Sequence, residues 1–574
     1  MRYLIIAALA ASLAACGTNT TEPLTVTGGQ ITGEQLDGYR AYRGIPYVAP
    51  PVGNARWRAP QPLQPWEGVR AATEYGPGCW QPAGTGNAVF IERLTEGAGM
   101  SWFGQLVIQS VAGAAEADVS EDCLTLNVMA PDHATDARLP VMFWIHGGGH
   151  AFGSGGTMYE SSSLVREGVV LVTINYRLGL YGFMGHPELA AEDPNGSTGN
   201  YGMLDQIAAL EWVQQNIARF GGDPANVTIF GESAGGHSVG QLMASPLSRG
   251  LFHRAIAQSG SGFYQFQAAA TETERMSGFD AGHRVAALAG VSGTNEIDAL
   301  RTLSTDALAA AATDPDVAAT LHPQIDGYVL PAPTAAIFAE GKQHPVPLIV
   351  GSNAEEGSVL YYLGLAPVAG GRETQPQTVA EWEQTLTREF GSHADHIASA
   401  YPVEDNRQVV KAAEALMTDT WFGRHAYYMA VTHTQAGHPT YLYFYERAPA
   451  SDTQTIGASH ALEIGHVMGE GAFMPLWPTD ERDAALSAEM RGGWAQFART
   501  GNPNAASLPE WPVFARAQPM ELTYGHDRTF SRPVARADRY SAMMPQFFER
   551  LARAMVALEQ PLTATLSVPG TLPP

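Results

Sequence analysis

The stretch Val227-Thr228-Ile229-Phe230-Gly231-Glu232-Ser233-Ala234-Gly235-Gly236-His237 decides the fold. Its first four residues form an apolar, β-rich run that reads as a strand. Gly231 and Gly235 then frame Ser233 in a Gly-x-Ser-x-Gly pattern, and Ala234 opens a helical stretch to about residue 244. A strand that feeds a tight turn and then a helix lifts a serine hydroxyl clear of its neighbours. The helix N-terminus also aims main-chain N–H groups at the place where oxyanion charge develops. A second match, Gly236-His237-Ser238-Val239-Gly240, has no strand before it and falls inside the expected helix. Ser233 is therefore the candidate nucleophile.

Upstream, residues 201–220 carry Met203, Ile207, Leu210, Val213 and Ile217 at spacings of three and four, which makes one helix face apolar. Gly221-Gly222-Asp223-Pro224 ends that helix and returns the chain to the strand at Val227. Further strand candidates are 139–145, 169–175, 255–258, 347–351 and 440–445. Short apolar runs alternating with helical patterns predict an α/β fold, a mostly parallel central sheet flanked by helices. Segments 271–314 and 380–433 read as helical insertions laid over that sheet. No Pro/Gly/Ser linker isolates them, so residues 24–560 are expected to form a single domain, with 561–574 as a loose tail.

A serine hydroxyl is a weak nucleophile without a base to take its proton. A Ser-x-x-Lys arrangement is absent, since Ala339 and Gln408 stand three residues before Lys342 and Lys411, the only two lysines. The base is then a histidine late in the chain, with His460 and His466 as candidates, and the acid follows the strand 347–351, where Glu355 and Glu356 both qualify chemically. His146-Gly147-Gly148-Gly149 follows the strand 139–145, and such glycines let a loop turn its N–H groups toward a bound carbonyl oxygen. His146 and His150 share a spacing that binds zinc on a helix, but three intervening glycines do not hold one, so no metal is expected.

The chain begins Met1-Arg2, continues with an apolar run to Leu13, and reaches Ala14-Ala15-Cys16-Gly17. This is the pattern of an export signal over residues 1–15. Leu13-Ala14-Ala15-Cys16 also looks like a bacterial lipobox, which predicts lipid on Cys16, a flexible tether over 16–23 and a place in a bacterial cell envelope, with a plain signal peptide and secretion as the alternative. Cys79 and Cys123 remain, and an oxidising compartment favours a disulfide between them. A formal net charge of -24 repels phosphate backbones and anionic membrane surfaces, so nucleic acid is not an expected partner and the membrane is expected only through the lipid.

Taken together, these residues resemble the type B carboxylesterases, the cholinesterase-like branch of the α/β-hydrolases. Residues 220–235 follow that family's nucleophile signature, and Glu121-Asp122-Cys123-Leu124-Thr125-Leu126-Asn127-Val128 follows its second signature. Similar stretches run from Tyr42-Arg43-Gly44-Ile45-Pro46-Tyr47 to Gly501-Asn502-Pro503-Asn504. The resemblance implies an α/β-hydrolase fold and a serine carboxylic-ester hydrolase acting on small-molecule esters through an acyl-enzyme, with no cofactor. By resemblance the triad is Ser233, Glu356 and His460, and the oxyanion hole is Gly148, Gly149 and Ala234. Ala461 stands where the family has glycine after the histidine, and Glu355 where it has aspartate. Cys79 and Cys123 match the family's first disulfide, whose loop here contains Trp80, Trp102 and Phe103, as entrance lining or as buried core. An acyltransferase on the same constellation, or an adhesion module that has kept the fold without catalysis, are the alternatives.

Overall fold

The computed structural model describes residues 20–82, 87–100, 102, 105, 118–132, 137–263, 266–273, 276–361, 375–469 and 479–560. Cys16, Phe103 and the segments 1–15 and 561–574 lie outside the described residues.

Among the described residues eleven strands form the central sheet. In chain order they are β1 (Glu34–Leu36), β2 (Tyr39–Pro46), β3 (Thr125–Pro131), β4 (Leu139–Ile145), β5 (Val170–Ile174), β6 (Gly222–Glu232), β7 (Arg254–Gln258), β8 (Leu348–Asn353), β9 (Thr440–Tyr445), β10 (Met520–Tyr524) and β11 (Thr529–Pro533). Across the sheet they run β11-β10-β9-β8-β7-β6-β4-β5-β3-β2-β1. The pairings from β5 through β10 are parallel, and β1, β2, β3 and β11 add antiparallel edges. The six central strands read from the sequence are all present. The flanking strands β1 to β3, β10 and β11 lie outside that expectation: β1 has only three residues and β11 is polar and half-exposed, whereas β2 and β3, at eight and seven residues, are as long as the central strands.

Alternation along each strand divides the core between two faces. Val141, Phe143, Val227, Ile229, Ala255, Ala257, Leu348 and Val350 pack on one side. Met142, Trp144, Phe230, Ile256 and Ile349 pack on the other. Both faces are covered, which is why these strands are almost unbroken in apolar character. The helix α1 (Tyr201–Asn216), continued by a short 3-10 turn to Phe220, ends where Gly221 takes a φ of 88°. The chain then enters β6, and α2 (Ala234–Ala244) leaves it.

Candidate active site

The turn between β6 and α2 is tight because its neighbours leave no room for anything else. A Cβ on Gly231 would meet Ile145 O at 2.6 Å, and one on Gly235 would run into the same carbonyl. Between them Ser233 sits at φ 55° and ψ -121°, a conformation a side chain rarely adopts and which costs on the order of 1–3 kcal/mol. Its N–H is held by Gln258 O at 2.9 Å and its carbonyl by His237 N at 2.8 Å. Ser233 is partly exposed, whereas Ser238 of the second motif is wholly buried, against His150 Nε2 at 3.0 Å and Gln206 Nε2 at 3.1 Å.

Glu356 follows β8 and is fully buried, while Glu355 beside it is exposed and takes the Ala458 N–H. Three donors converge on Glu356. Ser259 Oγ and Asn353 N reach Oε1 at 2.6 and 2.7 Å, and His460 Nδ1 meets Oε2 at 2.5 Å. The other ring nitrogen of His460, Nε2, lies 3.2 Å from Oε1 of Glu232, the residue before Ser233. The imidazole thus bridges the acid loop and the serine turn. Phe422 packs over it at 4.8 Å between ring centres, and Phe90 closes the far edge at 6.3 Å. His466 points elsewhere, to Ser487 Oγ at 3.0 Å.

Electrostatics follow from this confinement. Burial pushes the His460 imidazole down, but Glu232 and then Glu356 outweigh it and hold the group up at about 9. Burial raises the Glu232 carboxyl well above the usual range, against the pull of His460. His466 goes the opposite way, lowered by burial to about 4.

The loop after β4 lies against the serine. A Cβ on Gly147 would come within 3.1 Å of Ser233 Cβ. Gly148 and Gly149 have φ of 102° and 62°, and among the described residues no acceptor takes their N–H groups or that of Ala234. His146 Nδ1 lies against Gly147 O and its ring stacks on Tyr176, while His150 Nε2 meets Ser238 Oγ.

Among the described residues one cluster has metal-ligating types close together, His186, His283 and Glu296. His186 Nδ1 accepts the Glu188 N–H at 3.1 Å, which leaves its proton on Nε2, 2.9 Å from Glu296 Oε2. A metal at Nε2 would need that proton moved to a nitrogen already facing a donor, so hydrogen bonding accounts for the cluster as it stands.

A carboxylesterase family model matches residues 20–543. The chain belongs to the carboxylesterase family. It is 35% identical over 511 residues to a fumonisin B1 esterase from Sphingopyxis macrogoltabida, covering 87% of this chain and 85% of that one. It is also 35% identical over 546 residues to a liver carboxylesterase from Sus scrofa, with coverage of 89% and 91%. Among solved structures, a PNB esterase matches with a TM-score of 0.74 at 30% identity, covering 91% of this chain and 99% of that one. A Geobacillus stearothermophilus carboxylesterase matches with a TM-score of 0.73 at 29% identity, with coverage of 91% and 100%. The sheet and its covering helices are those of the α/β-hydrolases, and the chemistry is carboxylic ester hydrolysis.

Cys79 and Cys123 are joined in a disulfide. Within that loop Trp80 packs edge-on to Tyr181 at 5.0 Å, whereas Trp102 is 76% exposed. Sequence reasoning missed Glu232 and Phe422 as neighbours of the histidine, and Ser259 as a donor to Glu356. Glu232 stands inside the serine motif and could have been suspected, but the other two carry no local signal.

Proposed function

We propose that this esterase works by acyl transfer through a Ser233-Glu356-His460 triad. Ser233 Oγ attacks the ester carbonyl carbon, forming the C–O bond of a tetrahedral intermediate while its proton passes to His460 Nε2. Collapse of the intermediate breaks the bond to the alkoxy oxygen, and His460 returns the proton to the departing alcohol. Water then attacks the acyl-enzyme with the same base, releasing the acid and restoring the serine hydroxyl. Glu356 orients the imidazole and stabilises its cation. The N–H groups of Gly148, Gly149 and Ala234 donate to the oxyanion.

The observation that carries this reading is the 2.5 Å contact between His460 Nδ1 and Glu356, with the opposite ring edge turned to the serine turn. The test is a p-nitrophenyl ester chain-length series on the wild type and Ser233→Ala. Fumonisin B1 belongs in the panel, because the Sphingopyxis macrogoltabida relative carries that substrate in its name. Turnover by the wild type and loss of about 10⁴-fold or more in the alanine variant is expected. Full activity in the variant would remove Ser233 as nucleophile, and no turnover by the wild type would favour the adhesion reading.

The same proposal divides the chain into an export signal (1–15), a lipidated tether from Cys16 (16–23), one catalytic domain (24–560) and a tail (561–574). The Cys79–Cys123 disulfide suits an exported chain. Among the described residues no helix is long and apolar enough to cross a membrane.

A further inference from the structure

Behind the triad lies a buried carboxyl that the mechanism does not use. Glu463 sits three residues after His460, in the short helix Leu462–Met468, with no exposure to solvent. Its Oε1 accepts from Gln258 Nε2 at 3.1 Å and its Oε2 from Asn353 Nδ2 at 2.6 Å. Both partners are the last residues of neighbouring strands, β7 and β8, and both serve the triad through their main chains. Gln258 O holds the N–H of Ser233 at 2.9 Å. Asn353 N donates to Glu356 Oε1 at 2.7 Å, and its side chain also donates to Ser459 O at 2.9 Å, the carbonyl just before His460. Trp494 Nε1 fixes the other end of the Gln258 amide at 3.0 Å. One carboxyl therefore ties together the three chain segments that present the nucleophile, the acid and the base.

We propose that Glu463 is a positioning residue, a clamp that keeps the β7 and β8 strand ends and the His460 turn in register so that the triad is aligned before substrate arrives. Keeping a carboxyl in such a place is costly. Burial lifts it to about 7, the Glu356 carboxylate adds to the rise, and the two amide donors and His460 work against it. Glu232, Tyr443 and Tyr445 complete its electrostatic surroundings. An apolar side chain would avoid that cost but leave two buried amide donors without acceptors. A glutamine has one acceptor where two donors must be met, so it loosens one grip while changing hardly any volume.

This inference rests on the triad reading, and the test keeps the two apart. Reactive serines are counted by stoichiometric p-nitrophenol release from diethyl p-nitrophenyl phosphate, and kcat and KM on p-nitrophenyl acetate are then expressed per counted site. Glu463→Gln is expected to lower kcat per site by about 10- to 100-fold, the scale of a small misalignment of reacting groups, with KM changed less than about 2-fold. The double variant Glu463→Gln/Gln258→Glu reverses donor and acceptor across the same contact and still leaves acceptors for Trp494 and Asn353. It is expected to recover at least about half of the logarithmic loss. If Glu463→Gln does not fold, Asn353→Ser carries the same expectation, because it releases Glu463 and Ser459 O while keeping its main-chain N–H. Wild-type kcat per site in the single variant, or a loss confined to the number of reactive sites and the Tm, overturns the clamp. Full turnover by Ser233→Ala in the same assay would instead overturn the triad reading beneath it.

Discussion

His460 is held between two carboxylates, and that arrangement sets when it can act. A histidine accepts the serine proton only in its neutral form, and the imidazole here is lifted to about 9 by Glu232 and Glu356 in spite of its burial. In the proposed triad the acidic limb of the kcat/KM profile should therefore lie above the range of a free imidazole. Glu232 faces Nε2 at 3.2 Å and stabilises the cation from the serine side. Burial holds the Glu232 carboxyl up, so it supports the cation only where it is itself ionised, and replacing it by glutamine removes that contribution and lowers the histidine's affinity for its proton. In Glu232→Gln the acidic limb of the kcat/KM profile should move down by at least about one pH unit, with Ser233 still reactive. A limb that stays in place would mean that Glu232 does not govern the base.

At the scale of elements, the site is assembled from the ends of strands and the turns that follow them. The β6–α2 turn is legible in the sequence because glycine spacing and an apolar run suffice to specify it. The acid and base needed the family resemblance, because either of two glutamates and either of two histidines satisfied the chemistry. Burial and partners differ within both pairs: Glu356 is buried against His460 Nδ1 while Glu355 is exposed, and His466 bonds Ser487. Less legible still was the long helical stretch over 406–435. It is broken by a π-turn, Asp419–Gly423, that lays Phe422 on the His460 ring. Periodicity predicts helix there, and a single wide turn leaves no mark in it.

Ala461 is a further case. It departs from the glycine that the family resemblance implies, and it has φ 69° and ψ -1°, left-handed backbone directly between His460 and the helix Leu462–Met468. A Cβ there is strained. Ala461→Gly should stabilise the fold by up to about 1 kcal/mol, seen as a Tm rise of about 1–2 °C, with kcat per site unchanged. A lower Tm would show that the methyl group's packing outweighs its backbone strain.

For the whole molecule, a sheet buried on both faces supplies the platform for the site, and antiparallel strands extend it at both edges. The net charge of -24 and the near absence of lysine leave arginine to make most ion pairs, among them the buried Arg177–Asp205 pair at 2.7 Å. Export and anchoring belong to this scale too. Mass spectrometry of the mature protein should find Cys16 as its first residue, carrying lipid. An unmodified cysteine, or cleavage at another bond, would contradict the lipoprotein reading.

If an acyl group passes through Ser233 during turnover, it can be trapped there. The enzyme is mixed with a p-nitrophenyl ester, quenched in acid within the first turnover, digested and mapped by mass spectrometry. A single acyl mass increment is expected on the peptide containing Ser233, absent after quenching in Ser233→Ala. An increment on any other residue, or rapid turnover with Ser233 left unmodified throughout, would contradict it.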